Sequence, residues 1–218
     1  ALDDVSFPIE RGTVHALVGE NGAGKSTLMK ILYGIYYPEA GEVLINGKSE
    51  TFKAPIDSQM KGISVVHQEL KLSETLTVAE NVFLGNLLKK NHMVDWKGMR
   101  LRAAELLQQL GIPLDVNAEV GKLSVAQKQM VEICKAINRN CKVLIMDEPS
   151  ATLTDKEQTI MFRTVKQLRA QGVTIIYISH RLEEIFDLAD TVTVLRDGRH
   201  IDTVPVHSVD RAKLVSMM

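Results

Sequence analysis

Between Val14 and Leu32 the sequence reads VHALVGENGAGKSTLMKIL, and its residue types suit a phosphate chain. An apolar run (Val14, Ala16, Leu17, Val18) predicts a buried strand. A glycine-rich turn from Gly19 to Gly24 follows, then Lys25 and Ser26 at the head of a helical pattern carried by Leu28, Ile31 and Leu32. The glycines let successive backbone N–H groups converge on an anion, and the start of the helix adds its positive end. Lys25 can reach the terminal phosphates, and the Ser26 hydroxyl suits a magnesium ion. A plain glycine turn before a helix would not require the lysine and the serine, so the full GxxxxGK[ST] pattern after a strand predicts a nucleoside triphosphate site.

A phosphate cradle alone does no chemistry. The run KVLIMDEPS, Lys142 to Ser150, reads as a buried strand ending in two adjacent carboxylates. Side chains alternate along a strand, so Asp147 and Glu148 face opposite ways. The expected division of labour gives Asp147 to the magnesium shell. Glu148 orients or deprotonates a water attacking the γ-phosphate. Pro149 ends the strand and admits a loop, where binding groups usually sit.

The elements that position these groups follow from periodicity. Strands are expected at Leu2–Phe7, Thr13–Val18, Glu42–Ile45 (running into an Asn46-Gly47 turn) and Ile63–Val66. From there to about Asn140 the pattern is helical: Val78–Leu88, a helix capped by Asp95 and stopped by Gly111 and Pro113, and one capped by Ser124. Strands return at Val143–Met146 and Val173–Ile178, with a helix from about Asp155 to Gln171 between them. A short helix at Arg181–Phe186, a hairpin turning on Asp197-Gly198 and a helical end at Ser208–Met218 follow. Strands alternating with helices predict a mostly parallel sheet wrapped by helices. The expected division is a core of residues 1–68 and 141–218, with a helical subdomain of about 69–140 standing off it.

Bulk properties exclude several classes. The 218 residues suffice for a substantial core, and 45% apolar with 24% charged residues is ordinary for a globular chain. A formal charge of −1 provides no field toward nucleic acid or acidic lipid. Cys134 and Cys141 form no CxxC pair and suit a reducing compartment. No apolar run approaches the ~20 residues of a membrane span; the longest, Val173 to Ser179, fits a buried strand. Any membrane role is therefore expected to come through partner chains. The short lead before the glycine turn makes the chain read as part of something longer.

Five stretches in order carry a family resemblance: GENGAGKST (Gly19–Thr27), a strand ending in Gln68, LSVAQKQ (Leu123–Gln129), LIMDEP (Leu144–Pro149) and YISH (Tyr177–His180). Together they resemble the ATPase domain of an ABC transporter, an α/β P-loop NTPase with a RecA-like, mostly parallel core sheet, an N-terminal antiparallel β part and an inserted helical subdomain. The resemblance implies ATP and Mg2+ as ligands. Nucleotide contacts would come from Gly19, Glu20, Asn21, Gly22, Ala23, Gly24, Lys25, Ser26 and Thr27. Gln68 would touch the magnesium or the attacking water and sense a transmembrane partner, so the metal set is Ser26, Gln68 and Asp147. His180 would hydrogen-bond the γ-phosphate, joining Glu148 and Gln68 in catalysis. Ser124, Val125, Ala126 and Gln127 lie where the family has its LSGGQ signature. That stretch completes the ATP site of an opposing cassette, so two ATPase domains would close head to tail over two nucleotides.

The chain departs from the family pattern at two places. Val125 and Ala126 replace two glycines, and a Cβ at Ala126 limits how closely backbone approaches phosphate. Thr154 stands where many members carry an aspartate. VHQEL, LTVAENVFLG, QMVEICKAI, EPSATLTDKE and ISHRLEEIF resemble the first half of the tandem ATPase subunits of bacterial monosaccharide importers of the ribose, galactose, xylose and allose type. That subgroup implies permease subunits in the membrane, a periplasmic sugar-binding protein acting indirectly, and a place at the cytoplasmic face of the membrane. The alternatives are a non-transport ABC ATPase of DNA repair or translation, and a binding-only half with low hydrolysis. About 55 residues between Gln68 and Leu123, without heptads or cysteine clusters, argue against the repair type.

Overall fold

The computed structural model describes residues 2–66 and 71–218. In chain order its elements are β1 (Val14–Val18), α1 (Lys25–Leu32), β2 (Val43–Ile45), β3 (Lys48–Glu50), α2 (Pro55–Met60) and β4 (Ile63–Val66). Next come α3 (Val78–Phe83), β5 (Lys89–Lys90), β6 (Met93–Val94), α4 (Trp96–Gln109) and α5 (Val125–Asn138). The chain then builds β7 (Val143–Asp147), α6 (Asp155–Ala170), β8 (Thr174–Ile178), α7 (Leu182–Leu188), β9 (Thr191–Arg196), β10 (Arg199–Pro205) and α8 (Arg211–Met217).

Six strands form one sheet in the order β10-β9-β1-β8-β7-β4. The neighbours from β9 to β4 run parallel, and β10 returns antiparallel beside β9. That return uses Asp197 (φ 52) and Gly198 (φ 79), both left-handed as a tight hairpin requires. All five residues of β1 and of β8 are buried, as parallel strands covered on both faces must be.

Alternation sorts the strand side chains onto two faces. Val14, Ala16, Val18, Leu144, Met146, Ile175 and Tyr177 join the larger buried cluster, together with Met161, Val165 and Leu168 of α6 and Ile185 of α7. Leu17, Ile145, Ile176 and Ile178 join the smaller one with Met29 of α1. A slip of one residue in any strand would exchange these sets, so burial on both faces fixes the register. Leu17 of β1 and Asp147 of β7 both lie opposite Ile178 of β8. Three consecutive parallel strands therefore end at one level of the same edge.

Among the described residues, the chain between β4 and β7 adds no strand to this sheet. It forms α3, α4, α5 and the β5–β6 hairpin, with α3 packed on both α4 and α5. The apolar stripes of these helices (Phe83, Met99, Leu106, Ile133) belong to the larger cluster, so the helices share one continuous core with the sheet.

Two expectations from periodicity need correction. Leu2–Phe7 forms no strand: Asp4 takes a left-handed φ of 51, and one backbone bond (Asp3 N–H to Gly198 O, 2.8 Å) ties the segment down. Its apolar side chains Val5 and Phe7 still pack on the smaller cluster. The helix expected to run to Leu88 stops at Phe83, because Leu84 is extended and Gly85 is left-handed (φ 86). The antiparallel part early in the chain is instead β2–β3, paired from Val43↔Glu50 to Ile45↔Lys48.

Candidate active site

Parallel sheets bind ligands beyond the carboxyl ends of their strands, and the edge shared by β1, β8 and β7 carries every group singled out in Gly19–Thr27, Asp147–Glu148 and His180. β1 opens directly into the glycine turn. At Gly19 a Cβ would strike the carbonyl oxygen of Leu195 in β9, so only glycine lets the loop leave the sheet so closely. Gly24 caps α1 in the left-handed region (φ 102) without any side-chain hydrogen bond, and the first turn of α1 holds no acidic residue. By contrast α3, α5 and α6 are closed by their own capping boxes. The N-terminal N–H groups of α1 are thus left open toward an anion.

Lys25 folds back over the loop, its Nζ donating to the carbonyls of Gly19 (2.6 Å) and Glu20 (3.0 Å). Partial burial lowers its pKa, while the Glu148 and Asp147 carboxylates pull it the other way. Both acids therefore sit within electrostatic reach of the lysine. Ser26 follows in the first turn with its side chain exposed.

Asp147 continues the face of Ile145, the α1 side of the sheet. Its pKa is raised by burial and by the neighbouring Glu148 carboxylate, against the opposing pull of Lys25 and Lys30. Glu148 then leaves the strand with a left-handed φ of 47, a backbone state unusual for a non-glycine residue. Its N–H donates to Ile178 O (2.9 Å), and its Oε1 lies 3.2 Å from Nδ1 of His180. Glu148 lies beyond the end of β7, so this turn of the backbone rather than strand alternation sets the direction of its carboxylate.

The stretch Ser124–Gln127 lies apart from these groups. Among the described residues no hydrogen bond or ion pair joins it to Gly19–Thr27. Ser124 Oγ accepts from Gln127 N (3.3 Å) and donates to Glu157 Oε1 (3.1 Å), and Gln127 Oε1 accepts from Ser124 N (2.9 Å). Ala126 is 6% exposed and Val125 47% exposed, so the isopropyl group rather than the alanine methyl faces outward. Thr154 caps α6, donating its hydroxyl to Glu157 Oε2 (2.9 Å), which accounts for a threonine there. Gln68 lies outside the described residues.

Two contacts at this edge were not legible as such in the sequence. Gln129 Nε2 of α5 donates to Pro149 O (2.6 Å) in the buried interior, tying that helix to the loop after Glu148. Glu184 of α7 is buried and gathers partners from both flanking loops. Its one sequence signal is a carboxylate on the apolar side of a helix whose other buried residues are Leu182, Ile185 and Leu188.

Known proteins similar to this chain identify its family and fold. The family model described as ABC transporter matches residues 2–151. A protein of Burkholderia lata, named for ribose/galactose/methyl galactoside import as an ATP-binding protein, is 48% identical over 219 residues, covering 100% of this chain and 42% of that one. A Rhizobium meliloti protein of the same naming is 49% identical, covering 100% and 43%. The xylose import ATP-binding protein of Moorella thermoacetica is 46% identical over 220 residues, covering 100% and 44%. The chain thus spans less than half the length of these curated relatives. Among solved structures, the ADP conformation of an ATP-binding cassette of an ABC transporter superposes with a TM-score of 0.87 at 29% identity, covering 100% of this chain and 91% of that one. A nucleotide-free cassette gives 0.85 at 29% identity, covering 99% and 91%. On sequence and fold alike, the chain belongs to the ABC transporter family and is built as its nucleotide-binding ATPase cassette.

Proposed function

We propose that this cassette binds and hydrolyses ATP to drive import of a monosaccharide through separate membrane subunits. The observation that carries the reading is the meeting of Lys25, Asp147, Glu148 and His180 on one sheet edge, at the mouth of a glycine loop with an uncapped helix behind it. Gly19–Thr27 cradle the phosphates, and Lys25 exchanges its loop carbonyls for the terminal phosphoryl oxygens. Glu148 serves as the general base for the attacking water, and His180 steadies the charge that develops on the γ-phosphate. The names of the relatives support a sugar as cargo.

Ser26, Asp147 and Gln68 would hold the magnesium ion. Among the described residues no group of three or more His, Cys, Asp or Glu could hold a metal. A sparse set of one hydroxyl and one carboxylate suits Mg2+, which keeps waters and takes phosphate oxygens. Once bound, the ion supplies charge neutralisation on the β- and γ-phosphates. Asp147, crowded by Glu148, gains a counter-charge there.

The reading divides the chain into a core of residues 1–68 and 141–218 and a helical subdomain of about 69–140. Ser124, Val125, Ala126 and Gln127 then serve the nucleotide of a second ATPase domain, a role supported by their having, among the described residues, no hydrogen bond or ion pair to Gly19–Thr27. To do so Ser124 must turn from Glu157 toward the incoming phosphate. Permease subunits hold the pair at the cytoplasmic face of the membrane, and a periplasmic sugar-binding protein acts through them; no nucleic acid is involved. No described helix is long and apolar enough to cross a bilayer. A slow or binding-only half is the second reading, favoured by the exposed Val125 side chain at the surface the second domain would approach.

Replacing Lys25 by Ala tests the cradle. The expected result is loss of ATP binding in an equilibrium titration with the fold intact by circular dichroism; tight binding by the variant would overturn the reading.

A further inference from the structure

Glu184 is 1% exposed, yet it carries a carboxylate on a helix face that otherwise packs Leu182, Ile185 and Leu188. Burying such a group is costly unless donors surround it. Here they do. Its Oε1 accepts from Ser150 Oγ (2.5 Å) and Gln158 Nε2 (2.9 Å) and pairs with Arg181 Nη1 (2.9 Å). Its Oε2 accepts from Tyr177 OH (2.8 Å) and Ser179 Oγ (2.9 Å).

The origin of these partners is what matters. Ser150 lies two residues after Glu148, Ser179 immediately before His180, and Arg181 immediately after it. Ser179 Oγ also accepts from the N–H of Arg181 (3.0 Å), closing the turn that presents His180. One buried carboxylate thus pins both loops that carry the Glu148–His180 contact. Gln158 extends the same anchor to the first turns of α6. An apolar side chain could fill this space with less desolvation, so packing alone does not account for an acid here. Glu148 itself sits in a left-handed conformation that surrounding contacts must hold in place.

We propose that Glu184 is a positioning residue that keeps the loops bearing Glu148 and His180 in mutual register for hydrolysis. It touches no nucleotide and acts through Ser150 and Ser179. The inference rests on the ATPase reading above and adds to it a determinant of turnover lying outside the phosphate-contacting residues.

The test uses the protein in its complete native form. It compares wild type with Glu184→Ala, Glu184→Gln, Ser150→Ala and, as a control, Glu183→Gln, whose exposed carboxylate pairs with Arg211. ATP turnover is measured against ATP concentration, and affinity by titration with a fluorescent ATP analogue. Glu184→Ala is expected to lower kcat roughly 10- to 100-fold, as small misplacements of reacting groups do, with affinity held within about threefold. Glu184→Gln is expected to recover to within about threefold of wild type, because the Tyr177 and Ser179 hydroxyls can turn to accept from the amide. Ser150→Ala removes one strut, and a fall in kcat of about tenfold is expected even if Glu184→Ala does not fold. Glu183→Gln is expected to match wild type. Full turnover in Glu184→Ala or, should that variant not fold, in Ser150→Ala, a glutamine no better than alanine, or parallel loss of binding and kcat in the folded variants would each overturn the proposal. In those cases the ATPase reading stands; absence of turnover in wild type would remove both.

Discussion

His180 and Glu148 stand 32 positions apart in the chain and meet through Nδ1 and Oε1 at 3.2 Å. The contact is a consequence of strand pairing. β7 and β8 are neighbours with Asp147 opposite Ile178, so the residues that follow each strand emerge side by side. The left-handed turn at Glu148 then brings its carboxylate toward the imidazole rather than along the strand.

Glu148→Gln is expected to retain ATP affinity and to lose turnover by roughly 10²–10⁴, the usual contribution of a general base. The substitution keeps a hydrogen-bonding partner for His180 while removing the proton acceptor. Steady-state hydrolysis beside nucleotide titration checks it; near wild-type turnover would assign the base to another group.

His180→Ala is expected to cost about 10²–10³ in kcat, the scale seen when one stabilising donor at a developing charge is removed. Because the two residues are in contact, the double variant with Glu148→Gln should lose less than the product of the single effects. Strict multiplicativity in the double-mutant cycle would contradict a paired role.

Gly19→Ala probes the sheet-to-loop exit. The added methyl collides with Leu195 O, so the loop or β9 must shift. Destabilisation of about 1–3 kcal/mol is expected, as for overpacking, together with weakened ATP binding. Chemical denaturation and nucleotide titration read the two effects separately.

Thr154→Ala removes the cap of α6 and should destabilise by about 1 kcal/mol, with ATP affinity unchanged. Urea midpoints measured at constant m-value would show it. Loss of affinity from this substitution would instead place Thr154 in the nucleotide site.

His15 gives a pH dependence whose sign is fixed by burial. Its ring is 1% exposed, stacks on Phe7 and shares a 2.7 Å hydrogen bond with Thr193, and burial lowers its pKa from 6.5 to about 4. The unfolded chain therefore takes up the proton first. The stabilisation is complete above pH 6.5 and is lost as pH falls from there to about 4, a change of about 3 kcal/mol. Denaturation midpoints across that window should fall less steeply in His15→Gln than in wild type; equal slopes would show that His15 titrates normally in the fold.

Much of this protein is readable in one dimension. The glycine loop after an apolar strand, the acid pair ending another, and the hairpins at Asn46-Gly47 and Asp197-Gly198 are local patterns, and local geometry dictates them. So are the caps at Asp95 and Ser124, where a side chain finds a backbone N–H three residues on. The helix expected to reach Leu88 failed for a local reason too, the left-handed Gly85 that its apolar spacing outweighed. Leu2–Phe7 failed for a non-local one, since a strand exists only if a partner offers its edge. The same distinction governs the site. Residue types and spacing nominated Lys25, Asp147 and Glu148, and the family resemblance added His180. Their meeting depends on β8 lying between β1 and β7 with Leu17 and Asp147 both opposite Ile178, and on two buried faces that forbid a slipped register. Glu184 shows the limit most plainly. Sequence displays only an acid on an apolar helix face, whereas five donors from four segments become its partners once the sheet and α6 have closed around it.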